Sequence, residues 1–170
     1  MAKPAVVLEK IAPHHCAALL RFELENASYF SGFVPPRAPE MLTEVGMSHA
    51  IAALELDMRS QEGLYFVGLI GDEVVGRINF TIGGDQAEVG YRVAERWLGK
   101  GIAGQMLELG VEMLCADYKI NRLIGRVMTT NLGSTRVLER AGFSKFNIET
   151  GGGEQRGFGG DMVSFERWLV

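Results

Sequence analysis

At Gly99-Lys100-Gly101 the hydrophobic period of this sequence switches from two to about 3.6, and that switch limits the fold more than any other feature. Before it, residues 64–70 (LYFVGLI), 74–82 (VVGRINFTI) and 87–93 (AEVGYRV) are rich in β-branched and aromatic side chains. Gly71-Asp72 and Gly83-Gly84-Asp85 separate them, which predicts an antiparallel meander. After it, Ala103, Met106, Leu107, Gly110, Val111, Leu114 and Tyr118 recur at helical spacing and predict a helix over 102–118. Residues 122–129 (RLIGRVMT) read as a strand, and 134–140 as a short helix ended by Gly142. Residues 143–148 and 162–169 read as further strands, with 151–160 (GGGEQRGFGG) as a mobile hairpin flap between them. Ahead of the meander, 5–11 read as a strand and 14–26 as a helix. The Pro-rich stretch 31–39 (SGFVPPRAP) breaks the chain, and Met47, Ala50, Ile51, Leu54 and Met58 form the face of a second helix. A meander feeding strand–helix–strand–helix–strand predicts a mixed α/β (α+β) domain whose later strands run parallel across the crossover helix.

Composition bounds the function. A length of 170 residues suits a single domain over 1–170, and 47% hydrophobic with 22% charged residues excludes a disordered or collagen-like chain. Cys16 and Cys115 lie far apart and form no CxxC pair, which fits a reducing compartment. The sequence has neither an apolar run long enough for a membrane span nor the apolar stretch of a signal peptide, so a soluble cytoplasmic protein without a membrane partner is expected. A net charge of −4 argues against a nucleic-acid partner. Residues 1–85 carry six basic and eleven acidic side chains, 86–145 carry nine and six, and 146–170 carry two and four. A basic middle between acidic flanks suits a central anion and a cationic partner elsewhere; chance scatter of surface charge is the alternative.

Gly99-Lys100-Gly101-Ile102-Ala103-Gly104 matches GxGxxG literally, but its surroundings do not fit a dinucleotide fold. Residues 94–98 (AERWL) separate it from the preceding strand, and the next strand ends in Met128-Thr129-Thr130-Asn131 with no acid for a ribose. A Walker loop is excluded, since no GK[ST] follows. What remains is physical: glycines that permit close backbone approach, a helix start with free N–H groups, and Arg96 and Lys100 nearby. Together these read as a pyrophosphate cradle, the alternative being a plain tight turn.

The R-x-x-G-x-G run Arg96–Gly101, then Asn131-x-x-Ser134-x-x-x-Leu138-x-x-x-Gly142-Phe143, with Ala87-Glu88-Val89-Gly90-Tyr91 before both, resemble the GCN5-related N-acetyltransferase (GNAT) superfamily. Phe22-Glu23-Leu24-Glu25-Asn26 through Phe33-Val34-Pro35-Pro36-Arg37 is similar to the first helix and loop of its branch that acetylates ribosomal-protein N-termini. The resemblance spans essentially the whole chain. It implies the GNAT fold, with the strands 88–93 and 122–129 starting side by side and splaying apart. It also implies acetyl-CoA as donor and a primary amine as acceptor, either a peptide N-terminus or a small molecule. Acetyl-CoA would enter the notch, its pantetheine on main-chain groups near Val93 and its pyrophosphate on Leu98, Gly99, Lys100, Gly101, Ile102 and Ala103. Asn131 would bond the pantetheine arm; a helix cap is its alternative role.

An amine attacking a thioester needs to be neutral, and the leaving thiolate needs a proton. Many family members supply that proton from a Tyr seven positions after the motif Asn, where this chain has Leu138. The branch resembled carries a Ser three positions after it, so the resemblance assigns the donor to Ser134, against a purely capping hydroxyl. It assigns a general base to Glu88, against a carboxylate paired with Arg92 or Arg126. Glu23 or Glu25, with Asn26 and Phe30, are expected to line the acceptor cleft. His14, His15 and His49 lack metal spacing and read as exposed helix-face residues, so no metal is expected. The resemblance implies direct transfer, with which Cys115 on the apolar helix stripe is consistent. A terminal α-amine suits a lightly equipped site better than a lysine. A small-molecule amine acceptor and a non-catalytic CoA-binding module are the alternatives. A homodimer is compatible with the sequence.

Overall fold

The computed structural model describes residues 2–154 and 159–169. Its strands are β1 (Val7–Lys10), β2 (Gly63–Ile70), β3 (Glu73–Gly83), β4 (Gln86–Val93), β5 (Arg122–Met128), β6 (Ser144–Glu149) and β7 (Met162–Trp168). Its α-helices are α1 (Cys16–Phe30), α2 (Glu44–Arg59), α3 (Ile102–Asp117) and α4 (Leu132–Arg140). The strands form a seven-stranded sheet in the order β1-β2-β3-β4-β5-β7-β6. β1 to β4 pair antiparallel, β4 and β5 parallel across α3, and β7 slots antiparallel between β5 and β6.

Alternation along the strands builds two cores, one on each face of the sheet. Leu64 and Phe66 of β2, Ile78 and Phe80 of β3 and Val89 of β4 meet Met106, Leu107 and Leu114 of α3. Gly76 and Gly110 allow α3 to lie this close, because a Cβ at either would come within 3 Å of Met106 or Phe80. On the other face, Val67 and Leu69 pack against Leu19 and Phe22 of α1 and Met47 and Ile51 of α2.

The splay expected between the central strands is present. β4 pairs β5 only from Gln86↔Arg122 to Val89↔Gly125. Beyond that, β4 stays with β3 as far as Val93↔Gly76, while β5 stays with β7 as far as Met128↔Met162. One edge of Gly90–Val93 is therefore left without a strand partner.

The periodic elements fall where the pattern puts them, and the differences sit at their ends. α4 starts two residues before Ser134, because the Asn131 carboxamide accepts from the Ser134 N–H (3.2 Å) and caps the helix. Cys115 is exposed, on the solvent side of α3 rather than on its apolar stripe. His15 is buried, at 4% exposure, contrary to the expected surface position. Its Nδ1 accepts from the Ala12 N–H (3.0 Å) and its Nε2 lies 2.9 Å from Glu9, so both ring nitrogens serve the β1–α1 corner. His14 joins them, and the ligating atoms of Glu9, His14 and His15 fall within 4.8 Å of one another, a grouping the spacing did not suggest. The flap expected over 151–160 lies partly outside the described residues; at its described ends, the Gly151 N–H donates to Asp161 and that of Gly153 to the Gly160 carbonyl.

Candidate active site

Two cavities open at the splay. One, of about 520 Å³, lies under the starts of α3 and α4. Its wall has Leu98, Gly99, Gly101, Ile102, Ala103 and Gly104 on one side and Val93 at the free edge of β4 on another, with side chains of α1 and α4 completing it. Gly101 is the N-cap of α3 in the left-handed region (φ 76°), and no side chain caps the helix. Gly99 is left-handed as well (φ 73°). The first turn of α3 thus presents open N–H groups and the positive helix end to this wall. A Cβ on Gly101 would come within 3.3 Å of the Lys3 side chain, which lies across it.

Of the residues expected here, Val93, Leu98, Gly99, Gly101, Ile102, Ala103, Asn131 and Ser134 line the cavity. Arg96 and Lys100 do not. Arg96 ion-pairs with Glu73, and the Lys100 ammonium sits over the Trp97 ring at 4.7 Å. The cationic side chains that line it are Lys3, Arg92, Arg136 and Arg140. Arg136 and Arg140 stand one turn apart on α4, an i, i+4 spacing that marks a shared helix face in the sequence.

The second cavity, of about 480 Å³, lies on the α1/α2 face of the sheet. Its floor is the polar half of the strand alternation: Arg77, Asn79 and Thr81 from β3 and Glu88, Gly90 and Arg92 from β4. Arg126 of β5 and Arg37 and Phe33 from the loop after α1 close the sides. Glu88 lines this cavity and is ion-paired with Arg126, one of the two partners anticipated for it.

The acceptor residues expected from α1 fall elsewhere. Glu23 is 2% exposed and lies behind the floor, bound by three arginines, so the cavity meets its guanidinium partners and not the carboxylate. Glu25 is on the exposed side of α1. Asn26 is buried; its carboxamide donates to the Phe22 carbonyl (2.8 Å) and accepts from the Glu95 N–H (2.9 Å), which ties α1 to the turn after β4. Phe30 is a wall residue, but of the cavity under α3. Helical periodicity alone could not separate these, since Glu23 meets arginines 54 and 69 positions away.

Phe33, Val34, Tyr91, Arg92, Asn131 and Ser134 line both cavities, so the two meet in a throat through the sheet. The Tyr91 hydroxyl donates to the Ser134 carbonyl (3.2 Å), and burial pushes its pKa up to about 12, which keeps it protonated. With Asn131 serving as the cap, the Ser134 hydroxyl is not needed there, and it has no hydrogen-bond partner among the described residues.

Residues 6–144 match the family described as the acetyltransferase (GNAT) domain. The chain belongs to the GNAT acetyltransferase family. It is 32% identical over 136 residues to the probable N-acetyltransferase YjcK of Bacillus subtilis (strain 168), an alignment covering 76% of this chain and 75% of the relative. Among solved structures, the ribosomal-protein-S5-alanine acetyltransferase of Vibrio fischeri superposes with a TM-score of 0.89 at 16% identity, over 96% of this chain and 92% of its own. RimJ of Mycobacterium smegmatis, solved with a CoA-disulfide, gives 0.87 at 22% identity, over 96% and 82%. At such identities the likeness speaks for the fold. The family and the named relative make this chain an acetyltransferase enzyme.

Proposed function

We propose that this acetyltransferase passes an acetyl group from acetyl-CoA, held under α3 and α4, to a primary amine presented from the α1/α2 face, and that the amine is a peptide N-terminus. The observation that carries the reading is the throat: two cavities share Tyr91, Asn131 and Ser134 and otherwise open on opposite faces of the sheet. Bound there, acetyl-CoA supplies the acetyl group as an activated thioester. The uncapped turn at Gly101–Gly104 fits the pyrophosphate, with Lys3, Arg136 and Arg140 adding positive charge. The free edge of Gly90–Val93 offers main-chain partners to the amides of the pantetheine.

On this reading Glu88, held in the wall by Arg126, takes the proton of the attacking amine. The Ser134 hydroxyl gives one to the leaving sulfur. Tyr91, kept protonated, braces the first turn of α4 through the Ser134 carbonyl. An α-amino group, with a pKa of about 7.7–8.0, is substantially neutral near physiological pH, whereas a lysine at about 10.4 is not. The Vibrio fischeri neighbour, a ribosomal-protein-S5-alanine acetyltransferase, supports a terminal amine.

Thiol release from acetyl-CoA with a panel of peptides and polyamines tests this. Peptides with a free α-amine should turn over and polyamines should not. The reverse preference would move the acceptor to small molecules, and CoA binding without turnover of any amine would leave a binding module. Glu88→Gln should lower kcat by roughly 10²–10⁴ below the acceptor's pKa and recover as pH rises and the free amine increases. A loss equal at every pH would remove Glu88 from the proton path.

A further inference from the structure

The floor of the cavity on the α1/α2 face holds three guanidiniums around one carboxylate. Glu23 lies 2.7 Å from Arg77, 3.2 Å from Arg37 and 3.3 Å from Arg92. Arg77 and Arg92 stand directly opposite each other across β3 and β4, where like charges cost a sheet stability. One carboxylate cannot balance three cations, and the hydrogen bonds are incomplete too. Arg77 is 6% exposed, yet its Nε finds no acceptor; the Arg37 Nε lacks one as well, and the buried Asn79 Oδ1 beside them has no donor. Buried donors of this kind are normally satisfied, because leaving them unpaired wastes their hydration. Arg37, Arg77, Asn79 and Arg92 all face the same cavity. Burial first, and Arg37 next, lower the proton affinity of Arg77 and Arg92, as expected of cations crowded without enough counter-charge.

We propose that the molecule bearing the acceptor amine also carries an oxyanion, a carboxylate or a phosphate, which Arg37, Arg77 and Arg92 bind while the amine points into the throat. A guanidinium fork matches the planar spread of such an anion, and added negative charge would balance the two cations that Glu23 does not. Asn79 Oδ1 takes an N–H of the same molecule, as a peptide amide would offer. The acceptor is then an acidic peptide terminus or an amino-acid-like amine, and a polyamine is repelled. Acidic side chains are abundant in the first half of the chain, yet the partner this cavity selects is anionic. The identity of the amine rests on the acetyl-transfer reading; the anion site does not.

Three peptide amides with the same free N-terminus and Asp, phosphoserine or Asn at the second position separate the outcomes. The Asp or phosphoserine peptide should exceed the Asn peptide in kcat/KM by about tenfold or more at low salt, the scale of one charge-assisted hydrogen bond. The gap should narrow as salt rises. The better of the two names the oxyanion. In Arg37→Gln, which leaves Glu23 paired with Arg77 and Arg92, the gap should shrink to about threefold or less, with a thermal melt confirming the fold. An Asn peptide as good as the charged ones overturns the proposal while acetyl transfer stands. If no peptide is acetylated, calorimetric titration with inorganic phosphate and with glutarate decides. Binding by the parent that Arg37→Gln weakens about fivefold or more supports the anion site and places the failure on the transfer reading. No such difference overturns it.

Discussion

The cavity under α3 has a glycine-rich rim, Gly99, Gly101 and Gly104, where α3 opens, whereas the one across the sheet has a floor of polar and charged side chains from β3 and β4. At the first, the proposed pyrophosphate site needs only that Gly99 and Gly101 have no side chain, in left-handed turns beside an open helix end. The second needs charges in register, so Arg77 and Arg92 face each other and Glu23 reaches up from α1 to hold them. A backbone site resists most substitutions that keep glycine. A side-chain site depends on each member of its cluster.

The largest effect expected from this contrast is on stability. Glu23→Gln leaves three crowded guanidiniums without their carboxylate and should cost about 3–5 kcal/mol, read as a fall in the denaturant midpoint. Acid should act the same way on the parent. Burial raises the Glu23 pKa, but Arg37, Arg77 and Arg92 outweigh it and hold the group below its ordinary value of 4.5. Its contribution is therefore complete above about pH 4.5 and is lost as pH falls through the lowered value, a loss that Glu23→Gln should not show. A parent and variant with parallel acid profiles would make Glu23 dispensable.

Next is the backbone site. Gly101→Val puts a β-branched residue at φ 76° and a Cβ within 3.3 Å of the Lys3 side chain, with the fold otherwise kept. The strain is on the order of 1–2 kcal/mol. Loss of N–H contacts to a phosphate removes about 1.5–3 kcal/mol more. Calorimetric titration should then find CoA affinity down by a hundredfold or so. Undiminished affinity in the folded variant would sink the cradle.

The smallest effects separate two neighbours on one turn. Ser134→Ala should lower kcat, leave acetyl-CoA binding near that of the parent and leave the melting temperature unchanged, because it removes no cap. Asn131→Ala should do the opposite in part, costing about 1 kcal/mol of stability through the lost cap. If Ser134→Ala melts early and turns over normally, its hydroxyl is structural.

The same contrast explains what could be read in advance. The meander and the crossover follow from period and punctuation, both local properties of the chain; the notch comes from the family resemblance. Gly99 and Gly101 were legible as a tight turn at a helix start because a glycine's meaning depends on its immediate neighbours. Arg37, Arg77 and Arg92 were not, because their grouping depends on strand register and on a helix packed from elsewhere. The usable signal was the polar half of residues 74–82, where Arg77, Asn79 and Thr81 alternate with Ile78 and Phe80. Alternation inside a central strand with polar residues on one side indicates a face that apolar packing does not fill. Acids counted over residues 1–85 pointed the other way, because a total cannot tell a surface carboxylate from one buried among arginines.

The place of β7 between β5 and β6 bears on how the protein is made. Residues 162–168 are synthesised after both strands they join, so until they leave the ribosome the outer edge of β5 is bare and β6 has no neighbour. Val163 and Phe165 of β7 are buried in the core shared by the meander and α3, so that core is incomplete until they arrive. The cavity on the α1/α2 face is incomplete as well, since Met162 is part of its wall. A nascent chain halted before Met162 would carry a formed half-sheet with an open edge, a template for pairing with its neighbours on a polysome. Closing this half of the sheet is thus a matter of β7 arriving promptly.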